Sequence, residues 1–423
     1  MFDESVPLYK HVDVVVIGGG TAGFAAAIAA AKLNKQVLII EDHAYLGGTA
    51  TAGMVCQFLG FNKGETTESQ VGILDDLLKR LTAYHATSGV QTIYLSGIKE
   101  MGVGAATYNP DALKLILDEM VTAAGVEVLF HTRMITAITE DEKIKSVIIH
   151  NLSGIQRVEA DVFIDASFHG SLAVAAGCDY KLGDDDGVLQ PGTMMYRSDH
   201  VDAAEYHDVP RSEKKQLANQ GVAAGALNVG NLLSRSLPDG TFYTNMSRVK
   251  VDPLDQEAYS QAEITGRKQI SLISQYFKQS VPGFENAIVT DTADQLGLRD
   301  SRRIVGLYTL TNQDVLTSQT FPDTVASSDY PIDVHDANGL SSVLKKPAGG
   351  QFHIPFRCLQ TKIANLVLAG RCLSTEYEAH ACARVMATCM RLGEAAGIAA
   401  ADSINIGIPV NQYDGQRIKT FIQ

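Results

Sequence analysis

Three glycines and one acid near the start of the chain have the types and spacing that suit contact with phosphate groups. Gly18 permits a tight turn, Gly20 lets the backbone approach a pyrophosphate, and Gly23 allows a helix to pack closely on a strand. The N–H groups at the start of such a helix carry partial positive charge and attract phosphates. Glu41 can accept hydrogen bonds from a ribose diol and would repel a 2′-phosphate. Together the four residues predict a dinucleotide site.

The elements that must position these residues are visible in the surrounding hydrophobic pattern. Five of the six residues at 12–17 are Val or Ile, which predicts a buried parallel strand. Residues 21–34 are rich in alanine and predict a helix, and residues 37–40 predict a second strand that leads into Glu41. A glycine pattern between strand and helix is far more specific than the same pattern alone. The context therefore favours a βαβ nucleotide unit over an ordinary glycine-rich turn.

Further elements follow from periodicity and from turn residues. They are a helix capped by Asn109, a strand at 126–130, a β-hairpin at 133–150, a strand at 162–164, a helix at 252–277, and a strand at 366–369 followed by an alanine-rich helix to 401. The regular alternation of strand and helix is lost between 183 and 349. We therefore predict a discontinuous nucleotide-binding domain over 1–182 plus 351–423, and an inserted substrate domain over 183–350.

Composition and charge exclude several functional classes. The 423 residues carry a formal net charge of −13 and contain no run rich in Lys or Arg, so a nucleic-acid partner is not expected. No apolar stretch has the length and purity of a membrane span, and the start of the chain lacks the pattern of a secretory signal. The six cysteines lack metal-binding spacing and predict buried thiols in a cytoplasmic protein; a redox pair of Cys372 with Cys382 is the alternative.

Four motifs together resemble the FAD-dependent oxidoreductases of the glutathione-reductase-like superfamily. Beside the first glycine motif, these are LGGTAT at 46–51, LGLRDSRRIVG at 296–306, and LAGR at 368–371 followed by Arg384-Val385-Met386. The similarity spreads from about residue 12 to residue 401. The resemblance implies an α/β fold in which a Rossmann-type FAD-binding domain carries an inserted α+β substrate domain.

The same resemblance implies which residues hold FAD. The glycine motif with Ala22 would hold the pyrophosphate, and Glu41 the adenosine ribose. The start of a late helix would place its dipole against the reduced, anionic flavin. Expected in contact with the rest of the cofactor are Gly48, Thr49, Ala50, Met134 (through its backbone), Ala166, Gly370, Arg371, Val385 and Met386.

One segment departs from the family pattern, and it bears on the chemistry. Many relatives have Thr-Gly-Asp after the strand that precedes Ala166, whereas this chain has Ser167-Phe168-His169. Loss of the acid leaves the cofactor contact at this place open, and the aromatic rings would reshape the pocket.

Four side chains are candidates for catalysis because they lie in segments expected near the flavin. Histidine suits proton transfer at neutral pH, and arginine suits a carboxylate or a developing oxyanion. The candidates are His169, Arg303, His380 and Arg384. For each of them a structural hydrogen bond or ion pair is the competing interpretation.

The function that follows is an FAD-dependent oxidoreductase, a dehydrogenase, oxidase or reductase that moves hydride between a small organic substrate and flavin N5. The alternatives are a flavin-dependent isomerase or hydratase, a non-enzymatic flavin-binding partner protein, and an NAD-only dehydrogenase, which would not need Gly370-Arg371. No second glycine motif follows a strand, so the electron acceptor could be oxygen, a quinone or a protein. A homodimer is the default expectation for the assembly.

Overall fold

A computed structural model describes residues 2–62, 64–66, 71–95, 98–336 and 342–422. Its strands, in chain order, are β1 (Leu8–Ile17), β2 (Val37–Ile40), β3 (Gln57–Leu59), β4 (Gln91–Tyr94), β5 (Gly102–Thr107), β6 (Glu127–Leu129), β7 (Arg133–Glu140), β8 (Lys143–Asn151), β9 (Gly154–Asp165), β10 (Tyr180–Lys181), β11 (Tyr196–Asp199), β12 (Ser234–Ser236), β13 (Phe242–Thr244), β14 (Ile288–Thr292), β15 (Arg303–Ile304), β16 (Thr324–Ser328), β17 (Ile332–His335), β18 (Ser342–Lys345), β19 (Phe352–Pro355) and β20 (Leu366–Leu368). Its helices are α1 (Thr21–Lys32), α2 (Gly72–Ala83), α3 (Pro110–Ala123), α4 (Ser171–Ala175), α5 (Ala203–Asp208), α6 (Arg211–Ala223), α7 (Gln256–Ser280), α8 (Asn312–Leu316), α9 (Tyr377–Ala383) and α10 (Met386–Ile406).

A largely parallel sheet forms the centre of the fold, with strand order β6-β2-β1-β9-β8-β7 and with β20 also pairing β9. Strand β1 pairs in parallel with β2 on one side and with β9 on the other. The apolar residues of β1 from Val14 to Val16 are fully buried, as a strand covered on both faces requires. The predicted βαβ unit and the α/β, Rossmann-type fold class are confirmed.

Strand β9 joins the parallel sheet to the predicted hairpin. Its first half pairs antiparallel with β8, and its second half runs parallel with β1 and β20. The predicted strand at 162–164 is therefore only the end of a longer element. Strands β7 and β8 form the expected hairpin, with Asp141 and Glu142 in its turn at φ 48° and 54°.

Helices α1 and α10 cross at very short range above the sheet. A Cβ atom at Gly393 would lie 2.0 Å from the carbonyl oxygen of Ala22, and one at Gly397 would lie 2.1 Å from that of Ala26. Glycine is required at both positions because no side chain fits between the two backbones. The glycines of α10 therefore allow it to pack directly against the backbone of α1.

A second hydrophobic core lies between α7 and the sheet β12-β13-β11-β14. Aromatic edge-to-face contacts join Phe242, Phe277 and Phe284 within it. The helix predicted at 252–277 is observed as α7, with the Asp255 side chain capping its first turn. The predicted substrate segment 183–350 is divided between two cores: residues up to Leu298 pack in the second core, while β15, β17 and β19 pack with the nucleotide-binding core.

Two further features of the structure concern the cysteines and the hydrophobicity of the helices. All six cysteines are buried free thiols, and Cys372 and Cys382 form no disulfide. In the part of the chain that the structure describes, none of the helices combines the length and the apolar character needed to cross a membrane.

Candidate functional site

One large cavity of about 760 Å³ runs from the carboxyl ends of β1 and β2 to the second hydrophobic core. Small-molecule and cofactor sites usually have volumes of about 300–1,000 Å³. Its position at the carboxyl edge of a parallel sheet is where ligands of open α/β folds bind.

The turn between β1 and α1 contains several glycines, and each position needs glycine for a different reason. Gly18 has φ +95° and donates its N–H to the Ile40 carbonyl at 2.9 Å. A Cβ at Gly23 would lie 1.8 Å from the Gly18 carbonyl oxygen, so this position needs glycine for helix–strand packing. These two glycines are therefore required by the protein itself.

Gly20 is different, and it provides a test of whether a ligand belongs here. Its backbone is extended, with φ −65° and ψ −176°, which any residue can adopt. A Cβ built on it would meet no protein atom closer than Gly48 Cα at 4.0 Å, and both glycines line the cavity. Nothing within the protein calls for glycine at this position. A ligand group lying against the backbone in the cavity would require glycine, because it would occupy the space that a side chain needs.

Glu41 forms the wall of the cavity beyond β2 and is almost completely buried. One carboxylate oxygen accepts the Gly19 N–H at 2.6 Å, and the other accepts the backbone N–H of His43 at 2.9 Å. The His43 ring contacts the same oxygen at 2.7 Å, and this hydrogen bond raises the pKa of His43. The carboxylate is thus held in one orientation beside the glycine turn, where a ribose diol could donate to it.

The start of α10 also lines the cavity. Val385 is its N-cap, with φ −70° and ψ 149°, and no side chain caps the first turn. The N–H groups of that turn therefore lack intrahelical partners and carry the positive end of the helix dipole. Val385 and Met386 both line the cavity. The helix start offers hydrogen-bond donors to a negative charge inside the cavity.

Arg371 and Phe168 both line the cavity and are in contact with each other. The guanidinium of Arg371 donates to Thr49 Oγ1 and to the Leu298 carbonyl, each at 2.8 Å, and its Cζ lies 3.5 Å from the centre of the Phe168 ring. Phe168 holds φ +57°, a strained value for an aromatic residue. The segment that departs from the family pattern therefore places the Phe168 ring over a buried cation, and His169 occupies the position where many relatives have an acid.

His169 follows Phe168 and faces the cavity. Its Nδ1 lies 2.7 Å from Ser301 Oγ. Burial, with the nearby charges of Arg371 and Arg302, lowers the pKa of His169 to about 4. The imidazole is neutral at neutral pH, so it can accept a proton.

The far end of the cavity is rich in arginine. Arg248, Arg299 and Arg384 line it together with Tyr330, Asp333 and His335. The Tyr330 hydroxyl donates to Asp333 Oδ2 at 2.8 Å, and His335 Nε2 lies 3.4 Å from the same oxygen. Burial and the charges of Arg299 and Arg248 lower the pKa of His335 to about 4, although Asp333 opposes that change.

A family profile described as "FAD dependent oxidoreductase" matches residues 13–422 of this chain. The chain belongs to this family. It is an FAD-binding enzyme, and the cavity has the glycine cradle and the oriented acid that the adenosine diphosphate half of FAD requires. The narrower likeness to the glutathione-reductase-like superfamily stays a prediction.

Parts of the FAD-dependent oxidoreductase chain are also similar to curated enzymes. It is 30% identical over 115 residues to a thioredoxin reductase of Mycolicibacterium smegmatis, an alignment that covers 27% of this chain and 37% of the relative. It is 25% identical over 231 residues to a fumarate reductase (cytochrome) of Shewanella frigidimarina, covering 47% and 40%. These alignments span well under half the length of each relative.

The fold is shared with solved flavoprotein structures at low sequence identity. The structure of p-nitrophenol 4-monooxygenase from Pseudomonas putida DLL-E4 matches with a TM-score of 0.53 and 11% identity, over 97% of this chain and 86% of the other. At this identity the likeness shows the fold alone.

The structure brings most of the predicted FAD-binding residues to the one cavity. Those that line it are Gly18, Gly20, Ala22, Glu41, Gly48, Thr49, Met134, Ala166, Arg371, Val385 and Met386. Gly23, Ala50 and Gly370 lie behind the lining, where Gly370 adopts φ +78° and packs against Ala22. These three residues do not line the cavity.

The four candidates for catalysis separate into two pairs. His169 and Arg384 line the cavity. Arg303 lies outside the lining and is buried, donating to the Gly183 carbonyl at 2.6 Å and pairing with Asp300 at 3.3 Å. His380 also lies outside it, fully buried, with Nε2 at 2.9 Å from the Arg371 carbonyl. These contacts correspond to the structural alternative for Arg303 and His380, so we assign neither of them a chemical role.

Five residues at the far end line the cavity without having been predicted as site residues from the sequence: Arg248, Arg299, Tyr330, Asp333 and His335. Arg299 lies within the LGLRDSRRIVG motif, which also contains the candidate Arg303. Asp333 and His335 alternate along β17 and therefore share one face of it, a signal that the sequence does contain. Arg248 has no comparable local signal.

Proposed function

We propose that this FAD-dependent oxidoreductase transfers hydride between flavin N5 and a small organic substrate bound at the far end of the cavity. The observation that carries the proposal is the continuity of one cavity from the Gly18–Gly20 cradle to the arginine-rich end. Cofactor and substrate would share one cavity, as transfer between them requires.

FAD, when bound, supplies reversible two-electron chemistry. Gly18, Gly20, Gly48 and Glu41 would hold its adenosine diphosphate half. The uncapped start of α10 stabilises negative charge in the cavity through its free N–H groups. Because this donor set is fixed before reaction, no reorganisation is needed when charge develops.

His169 is the residue that we assign to proton transfer. With its pKa near 4, the imidazole is in the basic form at neutral pH and can accept the proton that an alcohol or amine loses on oxidation. Ser301 fixes the ring through Nδ1, and this leaves Nε2 as the atom that would take the proton. The guanidinium of Arg384 would orient the substrate from the same wall that carries the helix start.

The test is an absorbance spectrum of the purified protein under anaerobic conditions during additions of alcohols, amines and carboxylic acids. Loss of the oxidised flavin bands with one compound, and slower loss in His169→Gln, is the expected result. Conversion of a compound with no net bleaching would favour an isomerase or hydratase. Failure of the protein to retain FAD would refute the proposal altogether.

A further inference from the structure

The arginines at the far end of the cavity form a cluster that no family resemblance assigns. Arg248, Arg299 and Arg384 come from separate segments, and Arg248 and Arg299 are only 6% and 8% exposed. All three line the cavity. Guanidinium groups are rarely buried unless they have a partner, so the cluster needs an explanation.

Two of the arginines are held rigidly by the same hydroxyl group. Arg299 Nη1 donates to Thr193 Oγ1 and to the Pro191 carbonyl, each at 2.7 Å. Arg248 Nη1 donates to the same Thr193 Oγ1 at 3.0 Å and to the Ser247 carbonyl at 2.7 Å. Each guanidinium thus uses one nitrogen to fix its position. The other nitrogens are left available to a ligand.

Free donors remain on this cluster. The Nε atoms of Arg248 and Arg384 are buried and have no hydrogen-bond partner among the described residues. Arg384 makes one long contact, from Nη2 to the Asp333 carbonyl at 3.4 Å. A buried donor without a hydrogen-bond partner destabilises the protein, and a charged donor does so more strongly. A ligand that accepts these hydrogen bonds would remove this destabilisation.

The charge in the cavity is also unbalanced. Among the described residues, none of the three arginines forms an ion pair within 4 Å, and Asp333 is the one acid that lines this end. Burial, together with repulsion from Arg248 and Arg384, lowers the pKa of Arg299. Over the whole cavity, seven arginines and three acids form the lining. The pyrophosphate of FAD would balance two of the four excess positive charges.

We propose that Arg248, Arg299 and Arg384 bind the carboxylates of a small dicarboxylate substrate, an inference that rests on the proposed function of the cavity. A carboxylate accepts paired N–H donors from an arginine fork in a way that a neutral amide or ester does not. Two carboxylates supply the two negative charges that remain to be balanced. The rigid anchoring on Thr193 means that the recognition geometry exists before the substrate arrives.

The experiment measures binding to the FAD-loaded protein, not turnover. Succinate is titrated anaerobically and followed by the perturbation of the flavin absorbance and by calorimetry, with succinamide as the neutral isostere. We expect succinate to bind and succinamide not to bind. Arg299→Gln should weaken binding at least about tenfold. Arg299→Lys keeps the charge and guards against misfolding; it should still weaken binding, because the fork is lost.

The matched control is Arg267→Gln, which removes the same charge from an exposed position on α7. It should leave succinate binding unchanged. Equal binding of succinate and succinamide would overturn the inference, as would failure of every dicarboxylate from malonate to adipate to bind. A variant series in which only the flavin potential changes would show instead that the arginines serve the cofactor.

The two proposals fail in different ways. If no compound bleaches the flavin but succinate binds through Arg299, the hydride-transfer proposal fails and the anion site stands. If an uncharged substrate bleaches the flavin and Arg299→Gln does not alter the rate, the redox proposal stands and the dicarboxylate inference is wrong.

Discussion

Replacement of Gly20 by Ala should affect the affinity for FAD without affecting the stability of the fold. The added Cβ would meet only Gly48 Cα at 4.0 Å, and the backbone at φ −65° accepts alanine. Loss of glycine at an N-cap costs a few tenths to about 1 kcal/mol, while the lower entropy of the unfolded chain returns about 0.4–1 kcal/mol. The free energy of unfolding of the FAD-free protein should therefore change by less than about 1 kcal/mol.

The effect on FAD should be much larger. The methyl group would project into the cavity where the pyrophosphate must approach the backbone. Intrusion of one carbon into a close contact costs about 1–3 kcal/mol, which corresponds to affinity reduced about 5- to 150-fold. The protein should fold normally but lose flavin on desalting.

The assay pairs FAD titration with urea unfolding of the FAD-free protein. Gly23→Ala serves as the contrasting variant, because its Cβ would lie 1.8 Å from the Gly18 carbonyl oxygen and should destabilise the fold itself. Unchanged FAD affinity in Gly20→Ala would refute the cradle, since no ligand would then approach this backbone. A loss of more than about 2 kcal/mol of unfolding free energy in the FAD-free protein would show that Gly20 serves the fold.

Three further predictions follow from the geometry. Burial raises the pKa of Glu394 to about 7, so the stability that Glu394 contributes is complete below about pH 4.5 and is lost as pH rises through 7. In Glu394→Gln this part of the pH dependence should vanish. Urea unfolding of this variant at pH 8 should show stabilisation by up to about 3 kcal/mol. If His169 accepts the substrate proton, the rate of anaerobic flavin reduction should be constant from about pH 5 to 8 and fall near pH 4. An inflection of that rate near pH 6.5 that disappears in His169→Gln would contradict the lowered pKa of His169. Gly393→Ala should lower the free energy of unfolding in urea by about 1–3 kcal/mol, because its Cβ would lie 2.0 Å from the Ala22 carbonyl oxygen. The control is Gly230→Ala, whose Cβ would meet only a flexible side-chain atom at 3.3 Å. It should change the free energy of unfolding by less than about 1 kcal/mol.

The cofactor half of the cavity could be predicted from the sequence because its determinants are local. The order strand, glycine turn, helix and acid-tipped strand occupies one short stretch, and each step has its own periodicity. The helix start at Val385 and Met386 is implied by the family resemblance of Arg384-Val385-Met386, and it is observed at the start of α10. In both places the residues that line the cavity are close to one another in sequence.

The far end could not be predicted in the same way. Arg248, Arg299 and Asp333 meet only after α7 and β17 have packed against different cores, so no spacing in the sequence brings them together. Arg303 and His380 show the converse. Their segments do come near the cavity, but their side chains turn into the protein, where Arg303 binds the Gly183 carbonyl and His380 the Arg371 carbonyl. Proximity of a segment does not decide the direction of a side chain.

The position of the cavity between two cores gives the arginine cluster a mechanical consequence. Arg248 and Arg299 are anchored on segments of the second core, through Thr193 and Ser247, whereas Arg384 lies beside the start of α10 in the nucleotide-binding core. Without an anion these like charges repel across the gap and weaken the contact between the cores. An anion that all three arginines contact replaces repulsion by attraction, so its binding free energy also holds the cores together. If the cluster binds a dicarboxylate as proposed, ligand binding should therefore also stabilise the contact between the two cores.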